Sequence, residues 1–143
     1  MYYKIYTDGS CRGNPGPGGW AVLIKNMENG SEKILKGGDV NTTNNKMELT
    51  AILNALAEFT PNSEKPTNLK IYSDSKYCVS GINSWLEGWK RINFKGKKNV
   101  DLWKAYIQLS DGHNISIEWV KAHNGHTENE LVDSIAYEEA SKF

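Results

Sequence analysis

The sequence predicts an α/β chain built on a mixed sheet with helices on its faces. Three observations carry this reading. Aromatic and β-branched runs separated by turn signals open the chain, the pattern of a three-stranded antiparallel meander. From Leu49 onward the apolar period becomes that of a helix. Short apolar strands then alternate with helical stretches, as strand–helix–strand units do when a sheet is buried between layers.

Each element follows from local composition. Residues 2–8 read as a strand with aromatic and β-branched content, and Gly13 to Gly19 as a Gly/Pro loop. Trp20-Ala21-Val22-Leu23-Ile24 reads as a buried strand, Met27 to Gly30 as a turn, and Ile34-Leu35 as part of a third strand. Leu49, Ile52, Leu53, Leu56 and Phe59 recur at helical spacing, and Pro61 ends that helix. Leu69-Lys70-Ile71-Tyr72 is a short strand, followed by helical segments around Tyr77-Val79-Ile82 and Trp85-Leu86. Another helix is expected near 99–109, an alternating strand over Ile115-Ser116-Ile117-Glu118-Trp119, and a final helix over roughly 127–141.

The chain has 143 residues, which fits one domain, 1–143, with a sizeable core. Hydrophobic residues make up 38% and charged residues 24%, ordinary for a soluble globular protein. No apolar stretch is long enough to span a membrane, and the strand-like start lacks a signal peptide's apolar segment and cleavage site. A cytoplasmic location is therefore expected. Two cysteines, Cys11 and Cys78, suggest no disulfide framework. Seventeen basic and seventeen acidic residues cancel, but their distribution is uneven. Lys90, Arg91, Lys95, Lys97 and Lys98 form a basic cluster, while the C-terminal segment is rich in Glu128, Glu130, Asp133, Glu138 and Glu139.

Four carboxylates stand where elements begin or turn. Asp8 lies in Thr7-Asp8-Gly9-Ser10, Glu48 in Asn44-Asn45-Lys46-Met47-Glu48-Leu49, Asp74 in Tyr72-Ser73-Asp74-Ser75, and Asp133 in Asn129-Glu130-Leu131-Val132-Asp133. Each has a local structural explanation. Asp8-Gly9 suits a hairpin turn. Glu48 lies three residues after Asn45, as in a capping box. Asp74 suits a helix N-cap, and Asp133 a solvated helix position. Together these explanations weaken, because two of the acids end strands expected to be neighbours and a third opens the helix that crosses between them. Active sites of open α/β sheets gather at such strand ends. Four acids brought together repel unless a cation neutralises them, and an all-oxygen site selects Mg²⁺ or Mn²⁺.

These residues also carry a family resemblance. Thr7-Asp8-Gly9-Ser10-Cys11-Arg12-Gly13-Asn14-Pro15-Gly16-Pro17-Gly18-Gly19 resembles the opening of the type 1 ribonuclease H (ribonuclease HI) family. Thr42-Thr43-Asn44-Asn45-Lys46-Met47-Glu48-Leu49, Ser73-Asp74-Ser75-Lys76-Tyr77 and Val120-Lys121-Ala122-His123-Asn124-Gly125-His126 resemble its second, third and fourth motifs. The likeness spans the whole chain, in order. It implies a ribonuclease H-like fold, a five-stranded mixed sheet of order 3-2-1-4-5 with helices on both faces. It further implies an endonuclease that hydrolyses the RNA strand of RNA/DNA hybrids with two Mg²⁺ ions, Mn²⁺ being able to substitute, and leaves 5′-phosphate and 3′-hydroxyl ends. By this resemblance Asp8 bridges the ions, Asp133 completes the ion serving the attacking water, and Glu48 and Asp74 hold the ion serving the leaving oxygen. A monomer is expected from size and family.

The resemblance makes His123 an auxiliary catalytic residue, suited to proton transfer because imidazole titrates near neutrality. His126 is assigned no catalysis. A zinc site on His123 and His126 has no closed ligand set, since both cysteines are distant in sequence. Cys11, Asn14, Asn44 and Asn45 resemble family positions that contact the hybrid, where the 2′-hydroxyl is read. Thr43 resembles one that grips a DNA phosphate. Trp85 resembles one near the DNA strand, although core packing is the commoner use of indoles at helical positions such as Trp85 and Trp103. Lys90, Arg91, Lys95, Lys97 and Lys98, interleaved with Trp89 and Phe94, resemble the family's basic phosphate-contacting protrusion. Asn41, Lys76 and Ala122 depart from the basic, Gln and Gly residues common there. Three other readings are a hybrid-binding module without catalysis, a DNA nuclease of the same superfamily, and a domain cut from a reverse transcriptase. The retained acids disfavour the first. The set Cys11, Asn14, Asn44 and Asn45 disfavours the second, and the lack of any polymerase remnant in the chain disfavours the third.

Overall fold

Eleven residues separate Gly16 from Asn26 inclusive, and they alternate between two cores. Val22 and Ile24 join one apolar cluster, Ala21 and Leu23 another. A strand whose successive side chains point to opposite faces must be covered on both sides to bury them all. This requirement explains the layering of the molecule. A computed structural model describes residues 2–59, 67–121 and 127–143.

The sheet has five strands, β1 (Tyr2–Cys11), β2 (Gly16–Asn26), β3 (Glu32–Thr42), β4 (Asn68–Ser73) and β5 (Asn114–Trp119), in the order β3-β2-β1-β4-β5. β1 to β3 form the antiparallel meander, and β4 and β5 add in parallel beside β1. The turn at Met27 is organised by Asn26, whose side chain accepts from the backbone N–H groups of Glu28 and Asn29. The strands are longer than the sequence suggests. Asp8 and Gly9 do not form a turn but stay in β1, paired with Ala21 and Trp20. β2 likewise begins at Gly16, inside the segment read as a loop.

Helix α1 (Asn44–Leu56) packs on one face, its Leu49, Ile52 and Leu56 meeting Ile5, Val22 and Ile71. Its cap is Thr43, whose hydroxyl accepts from Lys46 N–H at 3.2 Å. The capping box suggested by Asn45 and Glu48 is therefore absent, which frees Glu48 from any capping duty. Pro61 lies outside the described residues. A continuous helical run follows β4 on the same face: α2 (Lys76–Ser80), a π turn (Gly81–Trp85) and α3 (Leu86–Arg91), then α4 (Val100–Ser110). Trp103 of α4 is fully buried, donates to Tyr77 Oη at 2.9 Å and stacks edgewise on Trp89 and Tyr106. Helix α5 (Thr127–Ala140) covers the other face, its Val132 and Ala136 meeting Ala21 and Leu23. Among the described residues no helix is long and apolar enough to cross a membrane.

Two glycines set how closely the layers approach. A Cβ on Gly9 would stand 2.4 Å from the backbone nitrogen of Glu48, and one on Gly19 would stand 2.3 Å from the carbonyl of Ala136. Only glycine lets α1 and α5 lie this close to the sheet. Gly9→Ala should destabilise the protein by about 1–3 kcal/mol through forced separation of β1 and α1. Urea unfolding measures it, and a wild-type midpoint would show that this contact yields freely.

Candidate active site

β1 and β4 are parallel neighbours, with Tyr6 opposite Tyr72, so Asp8 and Asp74 emerge at the same edge of the sheet. The close approach allowed by Gly9 brings Glu48 of α1 to them. One oxygen each of Asp8, Glu48 and Asp74 lie within 4.8 Å of one another. Asp8 and Glu48 are only 4% and 7% exposed. Gly9 N–H donates to Glu48 Oε1 at 2.7 Å and to Asp8 Oδ1 at 2.9 Å, a single donor shared by two carboxylates. Glu48 Oε2 is buried with no hydrogen-bond partner among the described residues. Asp133 of α5 lies close enough to add to the field on Asp8 and Asp74.

Burial is the first reason that all three carboxyls hold their protons more tightly than usual, and the neighbouring negative charges add to it. Asp8 is raised far above the ordinary carboxylate range, by desolvation and then by Glu48. Glu48 is pushed up to about 8, chiefly by burial. A buried all-oxygen set with an orphaned carboxylate oxygen fits a hard divalent cation such as Mg²⁺ or Mn²⁺, which would replace the missing partner and reverse the repulsion.

Asp74 is held by neighbours that the sequence did not announce. It is not a cap. Ser75 caps α2, accepting from Cys78 N–H at 3.2 Å, and this leaves the Asp74 carboxylate to the cluster. The indole Nε1 of Trp119, at the end of β5, donates to the Asp74 carbonyl at 3.1 Å. The Lys76 ammonium sits 4.9 Å from the centroid of the same indole. Lys76, noted only as a departure, thus places a cation beside the Asp74 turn.

Several expected contact residues converge at the start of α1, in a groove that none of the four acids lines. Asn14, Thr43, Asn45 and Lys98 line a groove of about 790 Å³ between the start of α1 and the start of α4. Asn14 Oδ1 accepts from Asn44 N–H at 3.0 Å, tying the β1–β2 loop to α1. The Cys11 thiol faces the carbonyls of Gly16 and Thr42. Asn41 is exposed, and its N–H is taken by Asp39 Oδ1 at 3.1 Å. Lys90 and Arg91 in the last turn of α3, and Lys95, Lys97 and Lys98 on the segment joining α3 to α4, are all exposed. Phe94 anchors that segment in the core, and Lys97 lies over Trp89. Trp85 is 43% exposed whereas Trp103 is fully buried, so the two indoles take opposite uses. Ala122, His123 and His126 lie outside the described residues, and the expectations placed on them are not addressed by this geometry.

The sequence profile of the RNase H family matches residues 1–141. The chain is 49% identical over 141 residues to a protein named ribonuclease H from Campylobacter jejuni subsp. jejuni, covering 99% of this chain and 92% of that one. Its fold is similar to that of LC9-RNase H1, a type 1 RNase H with the type 2 active-site motif, at a TM-score of 0.87 and 28% identity, covering 98% of this chain and 72% of that one. It also resembles LC11-RNase H1, solved in complex with an RNA/DNA hybrid, at a TM-score of 0.65 and 20% identity, covering 98% and 97%.

Because Glu48 and Asp8 bind protons more tightly in the folded state than in the unfolded chain, their contribution favours folding below the usual carboxylate range. It is lost as pH rises from about 4.5 toward 8. Metal-free protein should therefore lose on the order of 1 kcal/mol or more between pH 5.5 and pH 8, and millimolar Mg²⁺ should restore most of it. Urea titrations in chelator and in Mg²⁺ measure this, and stability that rises with pH in chelator would contradict the cluster's repulsion.

Proposed function

The chain belongs to the RNase H family of ribonucleases, and we propose that it is an endonuclease that hydrolyses the RNA strand of RNA/DNA hybrids. The observation that carries this reading is the buried meeting of Asp8, Glu48 and Asp74 at the ends of two parallel strands. Family membership and the hybrid-bound LC11 relative support the choice of substrate.

In this reading residues 1–143 form a single catalytic domain, active as a monomer in the cytoplasm. Asp8, Glu48, Asp74 and Asp133 would hold two divalent cations, Asp8 serving both, Asp133 the one for the attacking water, and Glu48 with Asp74 the one for the leaving oxygen. Bound there, Mg²⁺ or Mn²⁺ supplies a water of lowered pKa and offsets charge on the scissile phosphate. The chain's own task is to hold its oxygens before the substrate arrives. Gly9 N–H fixes Glu48, the Trp119 indole fixes the Asp74 turn, and α5 presents Asp133. His123 assists proton transfer or product release. In-line attack by water leaves 5′-phosphate and 3′-hydroxyl ends.

Substrate recognition divides between two surfaces. Cys11, Asn14, Asn44 and Asn45 meet the hybrid near the acids, where the 2′-hydroxyl distinguishes RNA from DNA. Thr43 faces a DNA phosphate, and Trp85 is exposed on the side of the DNA strand. Lys90, Arg91, Lys95, Lys97 and Lys98 add sequence-independent affinity through phosphates.

An end-labelled RNA, offered alone, in duplex RNA and in an RNA/DNA hybrid, should be cleaved only in the hybrid and only with Mg²⁺ present. Cleavage of DNA, or hybrid binding with no cleavage, would overturn the proposal. Asp8→Asn should reduce turnover to below about a thousandth of wild type, with the fold retained by circular dichroism. Replacing Lys95, Lys97 and Lys98 together by Ala should raise KM several-fold, leave kcat nearly unchanged and flatten the dependence on salt. Unchanged KM and salt dependence would remove this segment from substrate binding.

A further inference from the structure

Among the described residues, the α5 face of the sheet is covered only in part. Helix α5 packs on β1, β2 and β3, while β4 and β5 extend beyond it. Strand register arranges the uncovered side chains in rows. Lys25 of β2, Lys4 of β1 and Lys70 of β4 lie side by side, and two residues further along β1 and β4 Tyr6 pairs with Tyr72. The carboxylates of Asp8 and Asp74 follow after two more residues. The lysine row thus lies about 13 Å from the acid row along the strands.

Three lysines in adjacent register repel one another. Lys25 is neutralised by Glu128 at 3.6 Å. Among the described residues, Lys4 and Lys70 have no carboxylate within ion-pair distance. Lys70 instead lies over the Tyr72 ring, 5.4 Å from its centroid. Tyr6 and Tyr72 stack at 4.9 Å and 10°. With Lys4, Lys121, Glu118 and Glu128 they line a groove of about 520 Å³. That volume accommodates a ligand the size of one or two nucleotides. Burial and Glu128 push the Tyr6 hydroxyl up to about 12, so it stays a hydrogen-bond donor. Lysines with no carboxylate partner among the described residues, beside stacked aromatic rings, form the combination that binds single-stranded nucleic acid without sequence preference. Of the two acids in its lining, Glu128 is engaged by Lys25 and Glu118 remains, against Lys4 and Lys121 in the lining and Lys70 beside it over the Tyr72 ring.

We propose that this groove binds the single-stranded overhang of a hybrid, with Lys4, Lys70 and Lys121 on its phosphates and the Tyr6–Tyr72 pair beside its bases. This rests on the hybrid-cleaving function above, which supplies a strand leading away from the acid row. The overhang's sugar is left open by the chemistry, since phosphates and base faces are common to RNA and DNA.

The test compares a blunt hybrid with hybrids bearing a single-stranded RNA or a single-stranded DNA overhang, using wild type, the double variant Lys4→Glu/Lys70→Glu and the milder Lys4→Gln/Lys70→Gln. For wild type at least one overhang should lower KM three- to tenfold. Both double variants should lose this advantage and still cleave the blunt hybrid with kcat and KM within twofold of wild type. Anisotropy with labelled twelve-residue oligo(dT) and oligo(U) reads the groove independently of cleavage, and binding should weaken at least fivefold in the double variants. An overhang without effect on wild type, or an advantage that survives both double variants, overturns the proposal. Failure to cleave the blunt hybrid would count against the enzymatic reading instead, and oligonucleotide binding would still decide the groove.

Discussion

The mutual repulsion of Asp8, Glu48 and Asp74 is the constraint around which this fold is arranged. Two of the three side chains are almost wholly removed from water, and one Glu48 oxygen has no partner among the described residues. Such an arrangement opposes folding and must be held by everything beneath it. Beneath it lies the larger core, in which Ile5, Leu49, Ile52, Leu69 and Ile71 are essentially inaccessible. The same contacts that bury these residues lock β1, β4 and α1 in the positions that crowd the acids. Apolar burial therefore provides both the stability and the geometry, and the site draws on one to maintain the other.

The three acids are presented by different means. Asp8 and Asp74 are placed by strand register, since parallel neighbours end at the same edge. Glu48 is placed by the absence of a side chain on Gly9, which permits α1 to touch β1 and supplies a backbone donor. Asp133 is carried by α5, whose approach depends on Gly19. The surrounding polar groups divide the remaining work. Thr43 and Ser75 take the capping duties that would otherwise occupy Glu48 and Asp74. Trp119 clamps the turn through the Asp74 carbonyl.

Charge is segregated to match. The chain is formally neutral, yet the exposed lysines between α3 and α4 stand apart from the acids of α5. A polyanionic substrate needs positive potential where its phosphates lie and oxygen ligands where the reaction occurs. A neutral sum allows both because the two populations sit on different elements. The row of Lys25, Lys4 and Lys70 could not be seen as a cluster in the sequence, where these residues are dispersed, and it exists only through strand pairing.

The order of elements, the apolar faces of α1 and β2, and the family-like spacing of the acids are legible in the chain before it folds. These are local or periodic properties, visible wherever one side chain repeats at 2 or 3.6 residues. The ends of elements were less legible. β1 runs through Asp8-Gly9 because Ala21 and Trp20 are available to pair with it, and a partner strand is a nonlocal fact. The caps at Thr43 and Ser75 displaced Asn45 and Asp74 because a cap is chosen by where the backbone leaves the sheet. Trp85 and Trp103, alike in sequence context, were sorted into exposed and buried by which side of their helices met the core. Tertiary structure alone decided that Glu48 would lose its water, that Trp119 would reach Asp74, and that Gly9 would be a point of contact between layers. Each depends on distances between residues far apart in the chain, which are set when the apolar faces close on one another.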